Sequence, residues 1–126
     1  MKALQLSNFG ASNLSLVDIA LPEPRDREVV VRLKAASLNP RDSQIIAGQF
    51  TTAVDFPLTP LSDGAGTVIA VGAAVTRFDV GDNVTTLFFP NWYSGEATAG
   101  ERAVSTGLDV SGSAREAGIF HEDSLA

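Results

Sequence analysis

The chain has 126 residues, 44% hydrophobic and 19% charged, with nine basic residues against fifteen acidic for a formal charge of −6. That is one domain with enough apolar sequence for a core, and its negative field disfavours phosphate backbones, so nucleic acid is not an expected partner. The absence of cysteine removes disulfides, thiolate zinc sites and cysteine nucleophiles, and with one histidine, His121, a zinc site would have to rest mainly on carboxylates, so zinc is not expected.

The opening MKALQLSNFG carries one lysine and no sustained apolar core, so no signal peptide is read there. No apolar run reaches the roughly 18 to 20 residues that span a bilayer, and the expectation is a cytoplasmic protein without a membrane partner. Ala3 to Leu6 predicts a first strand, Asn8-Phe9-Gly10 a turn, and Leu14 to Leu21 a second strand. Pro22, Pro24 and the charged stretch to Glu28 predict a loop. Val29 to Ala36 has the strongest alternation, with Val29, Val31, Leu33 and Ala35 on one face and Arg32 and Lys34 on the other. Asn39-Pro40 predicts a helix start, because asparagine caps free amides and proline suits the first helical position. Ile45, Ile46 and Gly48 set a helix of about two turns, closed by glycine.

Thr51 to Pro60 predicts extended chain, and Thr67 to Val71 and Asn83 to Phe89 predict strands. Tyr93 to Ser113, punctuated by four glycines, predicts a long loop with one helical turn near Ala97 to Val104. Ala114 to Phe120 predicts a last strand, which Gly118 weakens. The whole reads as a mainly β domain, a barrel or sandwich with minor helix.

Gly64-Ala65-Gly66 invites a dinucleotide-fingerprint reading. That fingerprint needs a strand before the glycines and a helix after them, whereas here extended, proline-rich chain precedes and Thr67-Val68-Ile69 follows. A turn with close backbone packing fits better. Asn39, Arg41 and Asp42 cluster at the mouth of the short helix, where they can cap it, line a cleft, or do both. His121 precedes Glu122-Asp123 and reads as a solvated residue; no Gly-x-Ser-x-Gly elbow supports a hydrolase using it. Phe88, Phe89, Trp92 and Tyr93 form the densest aromatic cluster, suited to packing or to walling an apolar substrate.

Met1-Lys2-Ala3, Val29 through Asp42, Phe56-Pro57-Leu58-Thr59-Pro60-Leu61-Ser62-Asp63-Gly64-Ala65-Gly66, Phe78-Asp79-Val80-Gly81-Asp82-Asn83-Val84, Phe88 to Trp92 and Phe120 to Leu125 come in a characteristic order. This ordered set resembles the N-terminal GroES-like domain of the medium-chain dehydrogenase/reductase superfamily. The likeness is to zinc-independent NAD(P)-dependent alcohol dehydrogenases and quinone oxidoreductases. It implies a GroES-like, partly open β-barrel with one or two short helices over residues 1–126, the Rossmann domain being absent from this stretch. Zinc-dependent relatives carry cysteine at the position of Asn39 and Gly-His-Glu at Leu61-Ser62-Asp63, and neither Asn39 nor Ser62 is a good zinc ligand.

The resemblance further implies hydride transfer from NADP or NAD to a carbonyl or quinone substrate without zinc. Asn39, Asp42 and Ser62 would border the nicotinamide–substrate cleft, with Arg41, Asp63 and Phe50 beside them. The chain is then the substrate-side domain of a two-domain enzyme, expected to be inactive and cofactor-free alone. The alternative is a stand-alone β-barrel binding or assembly module, with exposed strand edges pairing into a homo-oligomer.

Overall fold

Two antiparallel sheets organise the computed structural model, which describes residues 1–126. The first pairs β1 (Lys2–Leu6) with β2 (Leu14–Asp18); the second has four strands in the order β5 (Asn83–Thr85), β4 (Gly64–Val71), β3 (Glu28–Ala36), β6 (Ala117–His121). One α-helix, α1 (Pro40–Ile46), and two single 3₁₀ turns, at Ala11–Asn13 and Glu122–Ser124, complete the chain. Bridges between Ala3 and Arg115 and between Leu6 and Leu58 stitch the first sheet to the rest. The sheets do not close, which gives the partly open, mainly β architecture that the sequence implies.

β3 is the centre of the fold because its valines are buried on both faces. Val29 and Val31 pack with Val68, Val84, Phe120 and Leu125, while Val30, pointing the other way, is also buried. Arg32 and Lys34 are exposed, as the alternation predicts. Ala35 is exposed too, against expectation, because the β3–β4 register shifts between Leu33 and Ala35 and the strand end leaves the core face. A second cluster joins Leu6, Ile45 and Leu58 under α1.

Four strand boundaries differ from the predicted ones by more than one residue, each because a hydrogen-bond partner runs out or changes. β2 stops at Asp18 rather than Leu21, since the Ile19 amide already bonds Met1, the first residue of the chain opposite it. β4 begins at Gly64 rather than Thr67: Gly64 and Gly66 pair with Ala36 and Leu33 as strand residues. A Cβ at Gly66 would stand 2.1 Å from the Arg32 carbonyl oxygen, so only glycine lets the two backbones approach here. β5 ends at Thr85 because Thr85 exchanges hydrogen bonds with Ala126 (2.7 and 3.0 Å) and the Leu87 amide turns to Ser124. β6 starts at Ala117, because the Ala114 carbonyl and the Glu116 amide bond Leu4 and Lys2 of β1, and only the Glu116 carbonyl reaches β3, at Leu33. The expected helical turn is confined to Thr98–Arg102, where the Arg102 amide reaches the Thr98 carbonyl at 3.2 Å.

Glu122 fastens the C-terminal segment. Its side chain is fully buried; one carboxylate oxygen accepts the Thr76 and Arg77 amides at 2.9 and 3.0 Å, and the other accepts Arg27 Nε at 2.8 Å. These bonds, the Thr76 amide foremost, hold its carboxyl down at about 2. The same pairing raises the Arg27 guanidinium above its ordinary value.

Candidate functional site

The end of β3 delivers the chain to α1, and the helix start fixes the first site residues. Asn39 is the N-cap in extended backbone (φ −117°, ψ 152°) and Pro40 opens the helix, as the sequence predicts. Asn39 and Asp42 are set as a capping box, and Asp42 supplies its firm half by accepting the Asn39 amide at 2.8 Å. Gly48, at φ +73°, follows the helix in the left-handed conformation that glycine tolerates.

The Asn39 side chain looks across the fold to the residues just before β4. Its Nδ2 donates to Asp63 Oδ2 at 2.7 Å and, more weakly, to Ser62 Oγ at 3.4 Å. Ser62 is buried, and its carbonyl accepts the Thr86 hydroxyl at 3.2 Å. Thr86 Oγ1 in turn accepts the Gly64 amide at 2.9 Å, so the exit of β5 braces the entry of β4. Leu61, immediately before, has φ 73°, a conformation costly for a branched side chain. It is held there by Ser113, whose amide bonds the Leu61 carbonyl at 2.8 Å. A hollow of about 450 Å³ opens beside Asp63, floored by Ala36, Gly64 and Ala65 and edged by Ser37, Thr85 and Thr86.

Arg41 and Phe50 belong to a second hollow of about 470 Å³. The Arg41 guanidinium stacks on Phe88 at 4.7 Å and Phe50 at 5.3 Å from the ring centres. It donates to Ser105 Oγ at 2.5 Å and to the Thr106 carbonyl at 3.3 Å. Ser105 passes its own hydroxyl hydrogen to Asp109 at 2.8 Å. Burial pushes the Arg41 guanidinium below its ordinary value, against the opposing pull of Asp42, Asp109 and Asp63. The aromatic cluster thus splits: Phe88 walls this hollow, whereas Trp92 and Tyr93 are exposed.

Of the six sequence-predicted residues, Asn39, Ser62 and Asp63 come together, and Arg41 and Phe50 form a neighbouring pair. Of the expected cleft residues only Asp63, Arg41 and Phe50 line a hollow; Asn39 lines neither, Ser62 is buried behind Asp63, and Asp42 is buried where it sets the helix start. Thr86, Ser105 and the strained Leu61 are additions the sequence did not flag. His121 is apart from both hollows; its Nδ1 accepts the Asp123 amide at 3.2 Å.

The donor set does not fit zinc. A carboxamide, a hydroxyl and one carboxylate that already takes the carboxamide hydrogen offer no imidazole or thiolate, and no group of three His, Cys, Asp or Glu side chains converges anywhere. Nor do the glycines fit a pyrophosphate. Gly64 and Gly66 lie inside a strand with a carbonyl packed against them, where a helix N-terminus would be needed. No helix is long and apolar enough to cross a membrane.

Residues 25–126 match the family described as the alcohol dehydrogenase GroES-like domain. The quinone oxidoreductase of Lama guanicoe is 34% identical over 107 residues, which are 82% of this chain and 32% of that protein. A solved NAD-dependent alcohol dehydrogenase superposes with a TM-score of 0.83 at 32% identity, over 100% of this chain and 39% of the other. The cobalt- and zinc-bound thermostable alcohol dehydrogenase of Pyrobaculum aerophilum gives 0.85 at 28% identity, over 100% of this chain and 40% of that one. The chain therefore spans about a third of the length of the relatives it matches.

Proposed function

The chain belongs to the alcohol dehydrogenase GroES-like domain family of the medium-chain dehydrogenase/reductase superfamily, and from that premise we propose that it is the substrate-facing domain of an NAD(P)-dependent oxidoreductase. Its substrates are carbonyl or quinone compounds, and it works without zinc. The observation that carries this reading is the convergence of Asn39 and Ser62 on Asp63, which itself lines an open hollow. By the family resemblance, Asn39 and Ser62 stand where zinc-dependent relatives place two metal ligands. Neutral, hydrogen-bonding side chains there suit a site that positions a substrate oxygen instead of coordinating a cation.

A nicotinamide cofactor supplies the hydride in such a reaction. This chain contributes the walls: Asp63, held by Asn39, orients polar groups in one hollow, and in the other Arg41, Phe50 and Phe88 offer a flat cationic and aromatic surface to a conjugated substrate. The phosphates of the cofactor have no cradle here, so the domain alone is inactive and needs a nucleotide-binding partner domain.

A hybrid enzyme tests this. In the Lama guanicoe quinone oxidoreductase, the segment that this chain matches is replaced by the corresponding residues of this chain. Quinone reduction should persist, and Asn39→Ala in the hybrid should lower kcat/KM by about tenfold. A folded hybrid without turnover, or one indifferent to Asn39→Ala, contradicts the assignment.

A further inference from the structure

Arg115 is a guanidinium that no acidic side chain meets. It lies over Gly118 of β6, where a Cβ would fall 2.8 Å from Nη2 and 2.9 Å from Nε, so the glycine leaves a berth for the arginine. The Phe120 ring stands 5.7 Å away, within cation–π range. Its one hydrogen bond is a 3.4 Å contact from Nη2 to the Ser111 carbonyl, and Nε is buried without an acceptor. Arg27 and Arg77, by contrast, are in ion pairs with Glu122 and Asp123. Burial pushes the Arg115 guanidinium below its ordinary value, as expected of a charge with nothing to balance it.

A cavity of about 440 Å³ opens beside this arginine, between β6 and the 104–111 segment. It shares no lining residue with the two hollows around Asp63 and Arg41. None of its lining residues is acidic, in a chain that has fifteen acids. Val104, Val110 and Ile119 make part of the wall apolar, and Asn91 and His121 add polar groups. His121 Nδ1 accepts the Asp123 amide at 3.2 Å, which leaves Nε2 as the ring nitrogen that can donate. One unpaired guanidinium, two further polar side chains and an apolar wall match a monoanion with a hydrocarbon body better than a dianion.

We propose that this cavity binds a small organic acid, with its carboxylate on Arg115 and its apolar body against Val104, Val110 and Ile119. The planar guanidinium edge suits a carboxylate. The volume accommodates a ring-sized ligand.

Amide-resolved NMR titration of the 126-residue chain tests it, with benzoate, its neutral isostere benzamide, and inorganic phosphate as probes. Benzoate should shift the amides of Arg115 to His121 and of the 104–111 segment, and bind about tenfold tighter than benzamide. Arg115→Met, which keeps much of the side chain and removes the charge, should weaken benzoate about tenfold and leave benzamide within twofold. Equal binding of benzoate and benzamide, shifts confined to other segments, unchanged benzoate affinity in Arg115→Met, or phosphate binding tighter than benzoate would each overturn the proposal. Should Arg115→Met not fold, the benzoate–benzamide comparison on the unaltered chain decides alone.

Discussion

Asn39 Nδ2 and Asp63 Oδ2 are 2.7 Å apart, which ties the first turn of α1 to the residue that leads into β4. The pair is 24 positions apart in sequence, so its formation reports the closure of the fold around the site. A double-mutant cycle of Asn39→Ala and Asp63→Ala should show a coupling of about 1 kcal/mol, with Asn39→Ala alone costing about 1–2 kcal/mol in denaturant unfolding. Additive effects would show that the contact does not stabilise the domain. Ser62→Ala should cost less than about 1 kcal/mol, because its bonds to the pair are only 3.4 and 3.5 Å.

Gly66→Ala drives a methyl group into the Arg32 carbonyl, at 2.1 Å, and the clash is with backbone, which cannot step aside. The expected cost exceeds roughly 3 kcal/mol, or no folded protein is recovered. Gly100→Ala meets nothing within 4 Å and should stay within about 0.5 kcal/mol of the unaltered chain. Equal stability of the two variants in urea unfolding would remove the close-approach account of the Gly64–Gly66 stretch.

The Glu122 carboxyl titrates at about 2 in the folded chain against an ordinary value of 4.5, so the folded state holds this proton more weakly than the unfolded one. Its stabilising contribution is therefore complete above about pH 4.5 and is lost as pH falls through about 2. Glu122→Gln should melt lower by on the order of 10 °C at pH 7, and the gap should narrow as pH falls through that window. A gap that stays constant from pH 7 to pH 2.5 would contradict the assignment.

Local punctuation made much of the fold legible. Asn39-Pro40 and Gly48 bracket α1 closely, the Val29–Val31 run marks the central strand, and the close backbone packing expected at Gly64-Ala65-Gly66 is found, though inside β4 and not in a turn. What escaped depends on distant partners. Nothing near Thr86 signals that its hydroxyl supports Ser62, and nothing near Ser105 signals that it receives Arg41. Leu61 takes a left-handed conformation because Ser113, more than fifty residues on, claims its carbonyl. β5 is shorter than its β-branched sequence suggests because Thr85 exchanges its hydrogen bonds with Ala126 and the Leu87 amide turns to Ser124. Gly118, read from sequence as a weak point of β6, is the position that admits Arg115.

The proposed division of labour, substrate side here and cofactor phosphates elsewhere, is tested most directly by calorimetric titration of the isolated 126-residue chain with NADPH, followed by a quinone-reduction assay on the same sample. Without a phosphate cradle, saturable binding tighter than roughly 1 mM should not be detected, and NADPH oxidation should not exceed the protein-free rate. Micromolar NADPH affinity, or steady quinone-dependent oxidation by the chain alone, would contradict it.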